Sequence, residues 1–318
     1  MFRYLVIFSV VLIWELGTAH AQFRKVGTTG YVFLEIPVSA RMAAMGESFL
    51  AMTDAGADAL FTNPGLLGFA RGRHHLQATH ADYLAGIQHQ AFGYAALLGN
   101  LGAFGVSLNR LDVGEMIGTL NADPNNPGGR YIITGTFDND ALAVGLTYAR
   151  RLTDRFSFGT TLRYVRERIA SFESTNVLLD AGMVYLTGWR SLRIGGSVQS
   201  FGVDSKYIGD TFKMPTIFRL GAAGEVLGST DRPTRLTLTA EALHPSDYTE
   251  RLHLGGEYWF QNFFAVRGGY KFNYDEEGWT AGVGLRWKTG GRALGLDMAY
   301  TGYGRLGSVS RFTLIASF

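Results

Sequence analysis

Alternation of apolar and polar residues runs through most of this chain, from about residue 73 to its end. In the stretch 311–318, every second residue from Phe312 to Phe318 is apolar, and the residues between them, apart from Ile315, are polar. A period of two residues is that of a β-strand with one apolar face and one wetter face. The pattern therefore predicts an all-β fold whose strands each carry one apolar face.

Turn residues divide the alternating region into blocks, and counting them predicts fourteen strands. Most blocks match or exceed the roughly 9–11 residues that a strand needs to cross a bilayer. An even number permits a closed antiparallel transmembrane β-barrel of about 14 strands over residues 73–318. The predicted strands are 73–82, 86–97, 101–111, 139–151, 155–169, 175–187, 190–201, 215–227, 233–243, 250–260, 263–272, 278–288, 292–301 and 309–318.

Composition favours a lipid-covered barrel over a soluble one. Only 18% of the 318 residues are charged, and 42 are glycine. An open sheet would leave edges and an uncovered apolar face, whereas closure removes the edges and lipid covers the face. The alternative is a soluble β-sandwich or lipocalin-like barrel, which would place apolar residues inside and more charge outside. A net charge of +2 predicts no nucleic-acid partner, and the absence of cysteine excludes disulfides and thiol chemistry.

The first residues predict export. Residues 1–21 contain Arg3, an apolar stretch over 5–16 and the small-x-small site Ala19–Ala21, the pattern of a cleaved signal peptide. Glu15 within the apolar stretch is atypical, so a buried N-terminal strand or an anchor is the alternative. No later window approaches the ~20 apolar residues of a spanning helix. Together these features predict the bacterial outer membrane as the location.

The chain's last residue sets the expected orientation. A final amphipathic strand ending in Phe318 resembles the C-terminal signature of outer-membrane barrels, which implies contact with the barrel-assembly machinery and a periplasmic place for this residue. Counting back, the short turns fall on the periplasmic side, and the long loops 112–138 and 202–214 fall outside, as such barrels prefer. Apolar residues at 131–133 and 207–208 favour contact between these loops and a partner.

Residues 22–72 do not alternate and form a separate segment. Asp54 is expected to cap a short helix over 55–61, because its side-chain oxygen can accept from free backbone N–H groups. Asn63-Pro64-Gly65 then predicts a turn, since proline removes a donor and restricts the residue before it.

This segment resembles the opening of PorV/PorQ-family proteins, within the FadL-like group of outer-membrane barrels. The resemblance rests on Gly30–Pro37, on Ser39-Ala40-Arg41 with Met45-Gly46, and on Asp58-Ala59-Leu60 with Asn63-Pro64; it departs at Ser39 and Gly65, where the family has Gly and Ala. It implies a fourteen-strand barrel with an N-terminal plug in the lumen. The plug motif either holds the turn against the wall or belongs to a moving gate. Its residues are Arg41, Met45, Gly46, Asp58, Asn63, Pro64 and Gly65.

Several strands place charged residues on the inward face, where charge is tolerable. We expect Glu257 to lie beside Arg267, and Asp297 between Arg286 and Arg311. Such charges either form an ionic network that fills and stiffens the lumen or provide a polar path or docking surface. Both readings disfavour a continuous apolar conduit. The predicted lumen network is Arg163, Arg235, Glu241, Glu257, Arg267, Lys271, Arg286, Asp297 and Arg311.

Other motifs predict no enzyme, metal or cofactor. His74 and His80 share a face but lie ~20 Å apart along a strand, too far for one metal ion. The G-x-G-x-x-G match at 302–307 has no following helix, so a dinucleotide site is not expected. No nucleophile elbow or catalytic triad emerges. The acidic run 275–277 predicts a solvated outer loop, with divalent-cation or lipopolysaccharide contact as the alternative.

Three functions remain. The leading prediction is a non-enzymatic PorV/PorQ-like accessory in type IX protein secretion or surface attachment of cargo, with secretion-system components or secreted cargo as partners beside outer-membrane lipid and lipopolysaccharide. The alternative is a FadL-like channel for hydrophobic solutes, with the plug as gate. A structural barrel or outer-membrane esterase is third. A lumen filled by ions and plug argues against the channel, and a continuous apolar passage to a lateral opening argues against the accessory.

Overall fold

A closed antiparallel barrel of fourteen strands forms the body of the protein, confirming the predicted fold class and strand number. The computed structural model describes residues 27–121 and 131–318. The predicted signal peptide 1–21 lies outside the described residues. Each barrel strand pairs with its neighbours in the chain, and the first strand pairs with the last, so the barrel has no free edge.

The strand boundaries agree with the predicted blocks to within three residues, apart from the third and fourth strands. Two further short strands, β8 and β9, pair only with each other outside the barrel. The strands are β1 His74–Asp82, β2 Gln88–Leu97, β3 Ala103–Asn121, β4 Tyr131–Arg151, β5 Phe156–Ile169, β6 Phe172–Leu186, β7 Arg193–Phe201, β8 Ser205–Lys206, β9 Thr211–Phe212, β10 Ile217–Leu227, β11 Arg235–Pro245, β12 Arg251–Phe260, β13 Phe264–Phe272, β14 Trp279–Thr289, β15 Arg292–Gly302 and β16 Ser308–Ser317.

The predicted loop 112–138 is largely a β-hairpin. The predicted bounds of this loop were wrong, because the ladder only shifts register between Asp112 and Gly114 and then continues. The pairing runs on as far as Asn121 opposite Tyr131. A bulge of this kind bends a strand without ending it. The barrel therefore carries one long two-stranded arm at the rim that is expected to face outward.

The predicted loop 202–214 contains the β8–β9 hairpin and folds back over the N-terminal segment. The amide of Gly30 donates to the Lys213 carbonyl at 3.1 Å, and Phe212 packs edge-on against Tyr31. Tyr207 stacks on Phe212 and donates to Glu167 at 2.7 Å. Part of the apolar surface expected to face a partner is thus used within the chain.

Alternation separates the two faces of the wall. On β16, Leu314 is 62% exposed on the outside, while Thr313 beside it is fully buried. Large apolar side chains are exposed on the outward face of nearly every strand, as on a lipid-facing barrel. The inward residues are small, polar or charged. Within the described residues, no helix reaches the length and apolarity needed to cross a membrane.

Four short helices lie in the described part of the N-terminal segment. They are the α-helix α1 Ala40–Ala44 and the 3-10 helices Val32–Glu35, Gly56–Phe61 and Pro64–Phe69; turn residues Leu84–Gly86, Gly99–Leu101 and Gly304–Leu306 form three more 3-10 turns. Ser39 caps α1 by accepting from the Met42 amide at 3.2 Å. Asn63 accepts from the Gly65 amide at 3.0 Å, and Pro64 opens the helix after it, where no amide is needed.

Asp54 does not cap the following helix, contrary to expectation. That helix is of the 3-10 type, begins after Ala55 and has no side-chain cap. The Asp54 carboxylate instead accepts from Arg41 at 2.9 Å and lies 3.2 Å from Arg235. Bonds to charged donors are stronger than bonds to a neutral amide, so two guanidinium groups outcompete the helix end.

Candidate functional site

The N-terminal segment lies against the inward face of the barrel on opposite walls. Near its start, the Ala40 amide donates to Thr313 at 2.9 Å, and the Gly46 amide donates to Thr280 at 3.0 Å. Further along, the Asn63 side chain donates to the Met183 carbonyl at 3.0 Å on the far side. These contacts fasten a non-alternating stretch across the lumen.

Glycines in the wall make room for this segment. A Cβ at Gly255 would lie 2.5 Å from the Met45 carbonyl oxygen, and one at Gly182 would lie 2.9 Å from the Pro64 ring. Gly65, where the resembled family has alanine, leaves no room for a Cβ, which would lie 2.8 Å from the Gly182 carbonyl. Backbone therefore packs on backbone, and the inward glycines follow from the presence of the segment.

Five charged side chains form one buried chain between the segment and the wall. Arg41 reaches Glu257 with two bonds, of 2.6 and 2.8 Å. Arg267 bridges Glu257 at 2.6 Å and Asp297 at 2.8 Å, and Arg286 closes the chain on Asp297 at 2.6 Å. Buried charges are stable only when paired and hydrogen-bonded, so these contacts belong together as a unit.

A second set of contacts holds the middle of the segment. Glu241 accepts from the Phe49 amide at 3.1 Å and the Leu50 amide at 3.2 Å with one oxygen, and from Arg219 at 2.5 Å with the other. Lys271 pairs with Glu47. The segment is therefore held through its backbone as well as through its charges.

All but one of the remaining predicted charges are also paired within the described residues. Lys271 also pairs with Glu277 near the outer rim. Arg163 pairs with Asp180 at 2.6 Å. The pattern fits a lumen whose charges neutralise one another.

The expected pairing of Arg311 with Asp297 is wrong. Arg311 is buried, at 1% exposed, and lies opposite Ala299 on β15. Asp297 lies opposite Thr313, which is two residues from Arg311 on the same face of β16. The Asp297 carboxylate is already taken by two other arginines. The Nε and Nη2 atoms of Arg311 are buried without a hydrogen-bond partner among the described residues.

Sequence reasoning missed several charges of the lumen. Arg193, Asp180 and Arg219 lie on the inward face and follow the same alternation used to find the others. A stricter count of alternate residues would have found them. Glu47 and Asp54 belong to the non-alternating segment, where no periodic signal indicates direction.

An outer chamber of about 240 Å³ lies between the start of the segment and the wall. One side is apolar and includes Leu34, Ile36 and Val38. Much of the remaining lining is ionic, on the segment as well as on the wall, and the paired charges below it fill the lumen. No group of three or more His, Asp or Glu able to hold a metal ion occurs in 27–121 and 131–318. The ionic lining residues are Glu35, Glu47, Arg163, Asp180, Arg219, Arg251, Lys271 and Glu277.

Two acids of the segment have raised pKa values. Burial raises the pKa of Glu35 to about 7, Asp247 adds to this, and Arg251 at 3.7 Å opposes it. Burial raises the pKa of Asp58 to about 6, against the opposing effects of Ser39 and Arg41. Both acids lie on the segment rather than on a strand, so their titration bears on how the segment is held.

The wall beside the outer chamber contains a break in its ladder. Leu179 pairs with Phe201, but Ala181 pairs with Val198, so β7 has one residue more than β6 at this point, which is a bulge. Within this bulge, Ser200 adopts a φ of 56° and donates its amide to Asp180 at 2.7 Å. The Asp180 side chain thus accepts from a backbone amide of the bulge.

Comparisons with known proteins match the architecture. No protein-family model and no curated protein matches the chain. Among solved structures, the toluene transporter TbuX of Ralstonia pickettii aligns at 13% identity over 87% of this chain and 96% of that chain, with a TM-score of 0.59. The CymD monoaromatic hydrocarbon channel aligns at 12% identity over 91% and 99%, with a TM-score of 0.60. This chain has their fold.

A FadL homologue of Pseudomonas aeruginosa aligns in the same way, at 14% identity over 88% of this chain and 98% of that chain, with a TM-score of 0.57. The FadL-like barrel architecture is therefore shown. The finer resemblance to PorV/PorQ proteins finds no support in these comparisons, and the alternative predicted function is the better supported one.

Proposed function

We propose that the protein is an outer-membrane channel that admits small hydrophobic molecules, with the N-terminal segment as its closed gate. The observation that carries this proposal is the outer chamber, apolar on one side, beside a break in the wall. The apolar outward face suits lipid, and the fold is shared over almost the whole length with hydrocarbon channels. No catalytic function is part of the proposal.

The route runs sideways rather than down the axis. The lumen below the outer chamber is filled by the segment and by paired charges, which an apolar solute could cross only at a high desolvation cost. The β6–β7 break is an irregular point of the wall beside the outer chamber, where the register shifts and the Ser200 amide is bound by a side chain. A hydrocarbon leaving through this break passes the Arg163–Asp180 pair but does not have to cross the buried chain of charges between Arg41 and Arg286.

A disulfide across the break tests the route. The chain has no cysteine, so Leu179→Cys with Phe201→Cys creates a single bridgeable pair beside the break. We expect uptake of radiolabelled toluene by cells producing the oxidised variant to fall, and reductant to restore it. The matched control is Tyr185→Cys with Ile194→Cys, an opposed pair on the same two strands away from the break.

Two outcomes would contradict the lateral route. Unchanged toluene uptake with the oxidised Leu179–Phe201 pair would show that the break is not used. Equal loss with the control pair would show that any staple between β6 and β7 impairs the barrel. Uptake equal in cells with and without the protein would reject the channel itself.

A second candidate is the accessory in type IX secretion or cargo attachment, and one observation favours it. The arm formed by β3 and β4 exposes a run of large apolar side chains beyond the rim, and exposed apolar patches mark protein contacts. Replacing Ile117 and Ile132 by Asp should then reduce cargo display and leave toluene uptake unchanged. The exposed residues are Ile117, Leu120, Tyr131, Ile132 and Ile133, between 57% and 69% exposed.

A further inference from the structure

The end of the barrel with the short turns opens into a large cavity, which we call the vestibule. Its volume is about 1100 Å³, at or above the ~300–1,000 Å³ of small-molecule pockets. The floor is the N-terminal segment at 53–56, and the sides are strand ends and turns. A cavity of this width and openness suits a length of polypeptide better than a small molecule.

Unneutralised positive charge lines the rim of the vestibule. Arg151, Arg155, Arg190 and Lys288 are exposed there, and none forms an ion pair within the described parts of the chain. Asp154 is an unpaired carboxylate on the same rim and offsets only part of this charge. Exposed cations that find no partner in their own chain attract an anionic one.

Deeper in the vestibule, the arginines are already satisfied. Arg193 pairs with Glu225 at 2.9 Å, and Arg235 lies 3.2 Å from Asp54. Among the described residues, unpaired positive charge thus lies at the entrance, where it can meet an incoming group before desolvation becomes costly.

Apolar side chains lie between these cations. Leu186 and Leu192 are half-buried on the wall next to Arg190. A ligand that suits this lining carries both carboxylates and apolar side chains. Phospholipid headgroups suit it less well, because lipid meets the outer wall, where Arg150 points, whereas Arg151 points inward.

We propose that the vestibule docks an acidic, partly apolar segment of a periplasmic protein. The proposal takes from the proposed function only the orientation of the barrel, with its short turns in the periplasm. A docked segment would lie against 53–56, where Asp54 bonds to Arg41 and so to the buried ionic chain. Its carboxylates would bond to the guanidinium groups of the rim.

The test measures peptide binding to the full barrel in phosphatidylcholine nanodiscs. The probes are short fluorescent peptides of alternating Glu and Leu, Gln and Leu, or Lys and Leu. The Glu peptide should bind, weaken with added NaCl and exceed the other two. The triple variant R151Q/R155Q/K288Q should lose about tenfold in affinity, as expected for several partly solvated ion pairs.

The matched control is R150Q/R232Q/R292Q, three exposed cations at the same end of the barrel that do not line the vestibule. Its affinity for the Glu peptide should match that of the parent chain. Equal loss in both triple variants, no binding of the Glu peptide, or equally tight binding of the Lys peptide would overturn the proposal. Tighter binding of the barrel to phosphatidylglycerol vesicles, lost only in the vestibule variant, would assign the site to lipid instead.

A separate measurement tests the orientation. Asp154→Cys gives the chain a single cysteine at the vestibule rim. A maleimide too large for porins should label it only after the outer membrane is permeabilised. Labelling of intact cells would overturn the orientation and the docking of a periplasmic partner, whereas loss of toluene uptake with intact peptide binding would overturn the channel alone.

Discussion

Glu257 is the side chain on which the interior depends most. It accepts from Arg41 and Arg267, and also from the Trp259 indole at 2.7 Å, while being fully buried. The three donors come from the N-terminal segment and from two strands. One carboxylate therefore joins the gate to the wall, and its charge neutralises two cations that have no access to water.

Removing this charge should destabilise the barrel strongly. Glu257→Gln leaves Arg41 and Arg267 underneutralised, and breaking a buried pair costs about 3–5 kcal/mol. The free energy of unfolding, followed by tryptophan fluorescence in urea with the protein in lipid vesicles, should fall by this amount. Glu276→Gln, which breaks the exposed pair with Arg305, is the control and should change little. Equal effects of the two variants would show that burial does not matter here.

Glu35 makes the hold on the segment depend on pH. Its pKa in the folded chain is about 7, above its ordinary 4.5. Between these values the folded state keeps a proton that the unfolded state releases, so the stabilisation is full below about pH 4.5 and is lost as the pH rises through about 7. Hydrogen exchange of the amides of residues 31–36 and 38 should therefore be slower at about pH 5 than at about pH 8 beyond the intrinsic rate difference.

Glu35→Gln should remove this dependence, because it has no proton to release. Glu173→Gln changes an exposed carboxylate on the same outer side and should keep it. Corrected exchange rates that are equal at both pH values in the parent chain would rule out Glu35 as the titrating group.

The strands and the N-terminal segment depend on each other through the glycines of the wall. A Cβ at Gly269 would clash with the Gly46 amide and lie 2.7 Å from the Gly46 Cα, while one at Gly268 would meet only the Thr280 carbonyl at 3.8 Å. Adjacent residues on β13 thus face the segment and the outside. The two positions are therefore a matched pair for substitution, one facing the segment and the other facing outward.

Gly269→Ala should push the segment from the wall and loosen the gate without opening the barrel ladder. Planar-bilayer recordings should show ion conductance well above that of the parent chain, while Gly268→Ala should resemble the parent. A closed, non-conducting Gly269→Ala barrel would mean that the segment shifts to accommodate the methyl group.

Closure of the barrel rests on the seam between its first and last strands. Phe318 exchanges backbone bonds with His74, at 2.8 and 3.0 Å, and its ring lies 5.0 Å from the His74 ring. The amide of Arg73 also donates to the Phe318 carbonyl at 2.9 Å. The terminal aromatic residue therefore stabilises the seam after folding, in addition to its predicted role in assembly.

Phe318→Ala should lower the fraction of folded barrel in the outer membrane, seen as loss of the heat-modifiable band on gels. Arg311→Ala should leave this fraction intact, since Arg311 forms no ion pair within the described residues and its removal takes a buried charge out of the wall. Equal assembly of the two variants would contradict the reading of Phe318 as an insertion signal.

Alternation alone predicts the strand number, the closure and most inward charges, because a period of two assigns every residue to one of two faces. It fails at β3 and β4, where the ladder continues through a bulge. It also fails at Arg311, where the predicted face is correct but the residue opposite Asp297 is Thr313, two positions along the strand. Face is a local property of a strand, whereas register depends on how two strands meet.

The contacts of the N-terminal segment cannot be predicted from the periodicity of the sequence. No period indicates that Asp54 turns away from its helix toward two arginines, or that Asn63 reaches the Met183 carbonyl on β6. No sequence pattern indicates the register shift beside Ser200 either. A repeating wall follows from local chemistry, but the partners of buried charges are chosen by distance across the lumen, which exists only once the barrel has closed.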